Sequence, residues 1–223
     1  MIAPLVLSFD LDDTLWPIEP VILAAEAAMW KWLQEQHADA MRAHSIETVR
    51  AIRARVALKF PERSHDMTFL RHRAIMELFG GHPDAQSHAD AAFEIFFRER
   101  NRVTLYADVE DALDRLRRRY RLFALSNGNA DLKRCGLAEI FEGHVTAISA
   151  GAPKPDARIF KQLIRDAGVR AEQVLHIGDD PHTDVNGAAR AGLQAVWLNR
   201  DARHWPADLE PPPRTIATLT ELI

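Results

Sequence analysis

The 223-residue chain has a single cysteine, two tyrosines, no surplus of positive charge and no long apolar run. One cysteine, Cys135, excludes an intrachain disulfide and fits a reducing compartment. The apolar start, Met-Ile-Ala-Pro-Leu-Val-Leu-Ser-Phe, lacks a basic flank. It is too short for a signal peptide or a membrane span, and no later stretch is longer. The expectation is a soluble cytoplasmic protein with no membrane partner. Lys and Arg number 28 against 32 Asp and Glu, a formal charge of −4. Such a chain has no general attraction for nucleic acid. The run of arginines at 115–121 therefore reads as a solvated helix face, since no aromatic platform accompanies it. What is present is ordinary for a folded domain: 47% hydrophobic and 27% charged residues.

The apolar pattern changes period along the chain. Leu5–Phe9 is a short apolar run ending in acids, which suits a buried parallel strand with polar groups at its tip. From Ile18 the period becomes helical, with Val21, Ile22, Ala25, Met29, Trp32 and Leu33 on one face. Further helices are expected at about 45–60, 66–79 and 84–100, with no strand between 17 and 102. Trp30, Trp32, Phe93, Phe96 and Phe97 belong to the core of that helical stretch. Beyond it, strands at Leu122–Leu125, Val145–Ile148, Val174–Ile177 and Ala195–Leu198 alternate with helices near 108–119, 131–138, 156–167 and 184–191. Pro211-Pro-Pro reads as a rigid linker to a short terminal helix. Repeated strand–helix units imply a doubly wound, Rossmann-like parallel sheet. The expected organisation is an α/β core of 1–16 and 103–223 with an all-helical insert, 17–102, and hinges at Pro17 and Arg102–Thr104.

Ligands of such sheets lie beyond the carboxyl ends of the strands, and the polar clusters fall there: Asp10-Leu-Asp-Asp-Thr, Ser126-Asn-Gly and Gly178-Asp-Asp. Asp10 and Asp12, two apart on extended backbone, project to one side and repel each other, which a divalent cation relieves. Asp179 offers another oxygen, with Asp180 and Asp184 close behind. A hard ion held by a few carboxylates and touching phosphate is the habit of magnesium. Asp10 can attack phosphorus as a carboxylate, and Asp12 can protonate the departing oxygen. Ser126 and the amides of Asn127 and Gly128 can bind phosphate oxygens, and Lys154, between two prolines, offers fixed positive charge.

Asp10-Leu-Asp-Asp-Thr, Ser126-Asn-Gly, Lys154-Pro and Gly178-Asp-Asp-Pro-His-Thr-Asp, in that order, resemble the four motifs of the haloacid dehalogenase superfamily. The resemblance implies Asp10 as nucleophile and metal ligand, Asp12 as acid/base with its carbonyl on the metal, and Ser126 on phosphate. It further implies that Lys154 neutralises charge and that Asp179 ligates Mg2+. Thr14, Asp180 and Asp184 would support the site, with Asp180 near the metal and Asp184 structural. The helical insert resembles the family's cap. The family's dehalogenases lack an acid at the second position of the first motif, so Asp12 points to phosphate ester cleavage. A narrower resemblance, including His65-Asp-Met-Thr with Arg71 and Arg73, is to bacterial phosphatases acting on FMN and on 5-amino-6-(5-phospho-D-ribitylamino)uracil. The loop Ser149-Ala-Gly-Ala-Pro-Lys is shorter than in those enzymes.

Some residues carry two readings. Arg71 and Arg73 point in different directions on a helix, so at most one faces a substrate. Trp16 either lines the substrate entrance or staples the hinge. His176 reads as a packed core histidine, and the remaining histidines, without HExxH-like spacing, as structural or solvated. A receiver-type signalling domain and a silent binding protein share parts of the pattern, as do a haloacid dehalogenase and a sugar or nucleotide phosphatase. The helical insert and the joint presence of Asp12 and Lys154 favour the phosphatase. Its partner would be a small phosphorylated molecule, the chain itself a monomer or homodimer.

Overall fold

Every residue of Val6–Phe9 is buried, as a strand covered on both faces requires. This strand, β1, lies at the centre of a six-stranded sheet in a computed structural model that describes residues 2–212 and 214–223. The chain divides into two units, Met1–Pro17 with Thr104–Ile223, and Ile18–Val103. Pro213, the last residue of the proline run, lies outside the described residues.

The second unit is helical: α1 (Ile18–Gln36), α2 (Ala38–Met41), α3 (Ile46–Lys59), α4 (Met67–Leu78) and α5 (Ala85–Arg100). Ser45 caps α3 by accepting from the Thr48 amide, and Asp66 caps α4 by accepting from the Phe69 amide. The inward faces pool Met29, Leu33, Ile52, Val56, Leu70, Ile75 and Phe96 into one core. Each such side chain contributes about 1.5–3 kcal/mol on burial. α2 is a single turn, too short to leave a periodic trace.

The first unit continues with α6 (Val109–Leu116), β2 (Arg121–Ser126), β3 (Gly143–Thr146), α7 (Ala147–Ala150), α8 (Ala157–Ala167), β4 (Val174–Gly178), α9 (Gly187–Arg190), β5 (Gln194–Leu198) and β6 (Thr215–Ile216). Every strand pair is parallel and the order is β3-β2-β1-β4-β5-β6. The chain leaves β1 toward β2 and β3, then returns to the other side of β1 with β4. That reversal is the switch point where such sheets bind ligands. α8 shows why its sequence is helical: Ile159, Phe160, Leu163 and Ala167 share the buried face, Asp156 caps the start, and Gly168 at φ 64° ends it.

Three expectations are corrected. The segment 131–138 forms turns, because the Asp131 carboxylate accepts from the Lys133 and Arg134 amides and Gly136 takes φ 77°, which a continuing helix does not allow. The strand expected at Val145–Ile148 stops at Thr146, whose hydroxyl caps α7. In place of one helix over 184–191, a π-helical turn at Pro181–Asn186 precedes α9. The two-residue β6 escapes a pattern reading.

Candidate active site

β1, β2 and β4 end at Phe9, Ser126 and Gly178, so the residues that follow converge beyond one edge of the sheet. The Asp10 amide still pairs with the Ile177 carbonyl at 2.9 Å, which extends the β1–β4 ladder to Asp10 and fixes its backbone beside the tip of β4. A cavity of about 110 Å3 opens there, lined by Asp10, Asp12, Ser126, Asn127, Gly128, Lys154, Asp179, Asp180, Thr183 and Asp184. Residues from all four sequence clusters therefore share one pocket.

Lys154 is its only lysine, and it is 3% exposed. Its Nζ lies 2.5 Å from Asp10 Oδ1 and 2.6 Å from Asp184 Oδ1, and donates to the Leu125 carbonyl at 2.9 Å. Asn127 fixes the lysine backbone from both sides: its Oδ1 accepts from the Lys154 amide at 2.6 Å, and its Nδ2 donates to the Lys154 carbonyl at 3.0 Å. Burial works against a charged ammonium, but Asp10 and Asp184 outweigh it and hold Lys154 protonated beyond the usual lysine range.

Asp10, Asp179 and Asp184 bring carboxylate oxygens within 4.8 Å of one another. Burial pushes the Asp10 carboxyl well up; Lys154 opposes this, while Asp184 and Asp179 add to it. Burial and then Asp184 raise Asp179 to about 6, against the pull of Arg203. Burial also opposes charge on Asp184, yet Lys154 and His176 keep its carboxyl below the ordinary range. Three clustered acids facing Lys154 and the Arg203 guanidinium leave residual negative charge that a bound cation would relieve. All-oxygen donors on a shallow cavity fit a hard divalent ion.

In the last motif both Asp180 and Asp184 line the pocket: Asp180 accepts from the His182 and Thr183 amides and caps the π-helical turn, while Asp184, 1% exposed, bonds Lys154 and His176 and lies in the carboxylate trio. Four residues on, the turn carries Asp184 back beneath Gly178, where an added Cβ would stand 2.3 Å from its Cγ. Only glycine fits at 178. Asp12 stands outside the trio, and its Oδ1 accepts from the Trp16 indole at 2.9 Å. Trp16 is fully buried, so it supports Asp12 and lines no entrance. Thr14 Oγ1 donates to Asp179 at 3.3 Å, and Gly128 N–H donates to Ser126 Oγ at 2.9 Å.

Arg71 is buried within the helical unit, against the expectation of a solvated or substrate-facing side chain. Its guanidinium lies 3.7 Å from the Phe96 ring centre and 3.5 Å from Glu26, and burial lowers its pKa to about 9. Arg73 is exposed on the same helix.

His176 is buried in the core as expected, but the sequence did not show its partners: its ring nitrogens meet Ser8 Oγ at 2.7 Å and Asp184 Oδ1 at 3.2 Å. Ser8 and His176 are register partners, each the lone polar residue of an apolar strand; that pairing was the available signal. Arg203 donates to Asp179 Oδ2 at 3.0 Å and to its carbonyl at 2.6 Å, and the Trp197 indole also donates to that carbonyl. Nothing in the local pattern marks Arg203.

Residues 5–192 match the haloacid dehalogenase-like hydrolase family, and the chain belongs to it. It is 34% identical to the 5-amino-6-(5-phospho-D-ribitylamino)uracil phosphatase YigB of Escherichia coli (strain K12), over 97% of this chain and 95% of that protein. It is 40% identical to the phosphoserine phosphatase of Thermus thermophilus over 63% of this chain and 57% of that one. A solved structure from Pseudomonas syringae pv. Tomato, described as a 2-haloacid dehalogenase, superposes with a TM-score of 0.92 at 36% identity. The match covers 100% of this chain and 96% of that one. Among the described residues no helix is long and apolar enough to cross a membrane.

Proposed function

We propose that this enzyme is a magnesium-dependent phosphatase that passes the phosphoryl group of a small phosphomonoester to Asp10. The observation carrying this reading is the Lys154 bridge between Asp10 and Asp184 inside a pocket lined by all four motifs. Lys154 binds Asp10 Oδ1, which leaves Oδ2 for attack on phosphorus. As the Oδ2–P bond forms, the P–O bond to the leaving group breaks and Asp12 gives that oxygen its proton. Water then attacks the phosphorus of the acyl phosphate, Asp12 takes a proton from it, and inorganic phosphate leaves with Asp10 restored. Ser126 and the amides beside it hold the non-bridging oxygens, while Lys154 balances their charge. Asp10, Asp179 and Asp184, with the Asp12 carbonyl, would hold the Mg2+, which supplies charge stabilisation of the transferring group.

Asp12 separates this reading from dehalogenation, because a departing halide needs no proton and an alkoxide does. Its carboxylate is half-exposed at the pocket and aligned by Trp16, as a proton carrier should be. Similarity to YigB over nearly the whole chain supports 5-amino-6-(5-phospho-D-ribitylamino)uracil as the substrate; the motif resemblance adds FMN as the second candidate and the helical unit as cap. The test compares kcat/KM for these two esters, phosphoserine, sugar phosphates and 2-haloacids, with Mg2+ and with EDTA. Turnover of the flavin-pathway esters, lost in EDTA and in Asp10→Asn, is expected. Chloride release from haloacids without phosphate release would overturn the assignment.

A further inference from the structure

Among the described residues, one other group of metal-donor side chains comes together. His82, Asp84 and His88 of the helical unit place ligand atoms within 4.8 Å of one another. Lacking HExxH spacing, the two histidines read from the sequence as structural or solvated; the local chain shows why they meet Asp84. α4 ends at Leu78, and Gly80 and Gly81 then take φ of 54° and 86°, a region that suits glycine. The reversal bonds the His82 amide to the Phe79 carbonyl at 2.9 Å and the Ala85 amide to the His82 carbonyl at 3.0 Å. His82 is thereby laid over the start of α5. Asp84 is the N-cap residue of α5, yet its side chain makes no capping bond. The helix does not use this carboxylate. His88 follows four residues later on the same helix face. Its ring is held by packing on His37 at 4.2 Å and Phe79 at 4.9 Å between centres, with His82 at 5.5 Å.

We infer that His82, Asp84 and His88 form a binding site for a divalent transition-metal ion, for which Zn2+ is the probe. Two imidazoles and one carboxylate are the donors of zinc, cobalt and nickel, whereas magnesium and calcium take oxygen alone. Bonds of about 2.0–2.2 Å require the donors to draw somewhat closer. His82 and Asp84 are exposed and turn at little cost, while His88, the best-packed member, sets the position. Ligation disturbs one contact, the bond from the Asp84 amide to His82 Nδ1 at 3.1 Å, which is exposed and can pass to water. The bound ion would tie the turn after α4 to the first turn of α5, with water completing its coordination. This site is chemically distinct from the acidic pocket, where every donor is an oxygen.

The experiment uses the full chain in excess Mg2+, so that the carboxylate trio is saturated, and titrates Zn2+ by calorimetry and Co2+ by visible absorption. One equivalent of Zn2+ should bind with micromolar affinity and raise the melting temperature. Co2+ should give the strong visible band of a four- or five-coordinate, nitrogen-ligated ion. His82→Ala and His88→Ala should each weaken Zn2+ by about tenfold or more and abolish the band. His82 is exposed, so His82→Ala should leave the metal-free melting temperature unchanged and keep the test independent of folding. Asp10→Asn, at the other pocket, should leave the band intact. Equal Zn2+ affinity in wild type and the His82→Ala/His88→Ala protein would overturn the site, as would a cobalt band lost in Asp10→Asn.

Discussion

Lys154 and Asp184, thirty residues apart in sequence, meet at 2.6 Å with both side chains 2% exposed, and the same ammonium reaches Asp10 at 2.5 Å. Lys154 is therefore a structural keystone and an electrostatic one together. Lys154→Ala would leave two buried carboxylates without their counter-charge. Removing one partner of such a pair costs about 3–5 kcal/mol. The variant should unfold at markedly lower urea and lose at least about 10²-fold in kcat. A variant of wild-type stability would show that the pair is not sustained in solution.

The acid/base role of Asp12 predicts a dependence on the leaving group. In Asp12→Asn the Trp16 indole keeps an oxygen to donate to, so the fold should be preserved. Turnover of an alkyl phosphate should fall by about 10²–10⁴-fold, because the alkoxide must leave without a proton. With a nitrophenyl ester, whose phenoxide leaves unaided, the first step should suffer much less. Equal losses on both esters would remove Asp12 from proton transfer.

His176 acts through Asp184. Its two ring nitrogens bridge Ser8 and Asp184, and an edge contact with Phe160 at 5.9 Å sets the ring. Replacing it with Phe fills the volume but removes both bonds, which should cost about 1–3 kcal/mol. With Asp184 held only by Lys154 and the Asp180 amide, Mg2+ affinity should drop by about 10–100-fold, as for lost hydrogen-bond partners of metal ligands. Measuring the Mg2+ activation constant separates this from a purely structural effect. An unchanged constant in a destabilised variant would confine His176 to packing.

How much of this was legible in the sequence depends on which interaction decides each feature. The central strands were readable because a run such as Val6–Phe9, buried throughout, has one way to satisfy both its backbone and its side chains. The four acidic and basic clusters were readable because strand ends in a parallel sheet share one edge. The contacts of Asp180 and Asp184 were not, since they depend on a π-helical turn at Pro181–Asn186 that has no periodic signature. Nor was the burial of Arg71. A guanidinium is placed in a core only when distant partners, here Glu26 and Phe96, meet it, and neither is a sequence neighbour.

That arginine cluster yields a stability prediction. Glu26 is 4% exposed and accepts from Arg50 at 2.6 Å, with Arg53 and Arg71 each at 3.5 Å. Glu26→Gln would leave Arg71 buried beside Arg53 with no anion. A loss of about 3 kcal/mol is expected. Arg71→Met, which leaves Glu26 with two arginines, should cost less. Melting curves of the two variants give the order directly, and a reversed order would contradict this account of the network.

Charge at the base of the first motif's loop ties the fold to pH. Arg200 donates to the Thr14 carbonyl at 3.0 Å and to Asp108 at 2.9 Å, and Asp108 also accepts from the Leu219 amide at 2.7 Å. Burial works to raise the Asp108 carboxyl, but Arg200 and the Leu219 amide prevail and set it below its ordinary value. A carboxyl depressed on folding stabilises the protein above its unfolded pKa of about 3.9, and this stabilisation is lost as pH falls through the lower folded value. Asp108→Asn should therefore unfold at lower urea than wild type from neutral pH down to about 5. Below about 4 the gap should begin to narrow, closing only once the pH passes the lower folded value, where protonation makes the wild-type carboxyl as neutral as the amide. A gap that stays constant across the acid range would mean that Asp108 contributes through shape alone, and that the Arg200 tether on Thr14 does not depend on its charge.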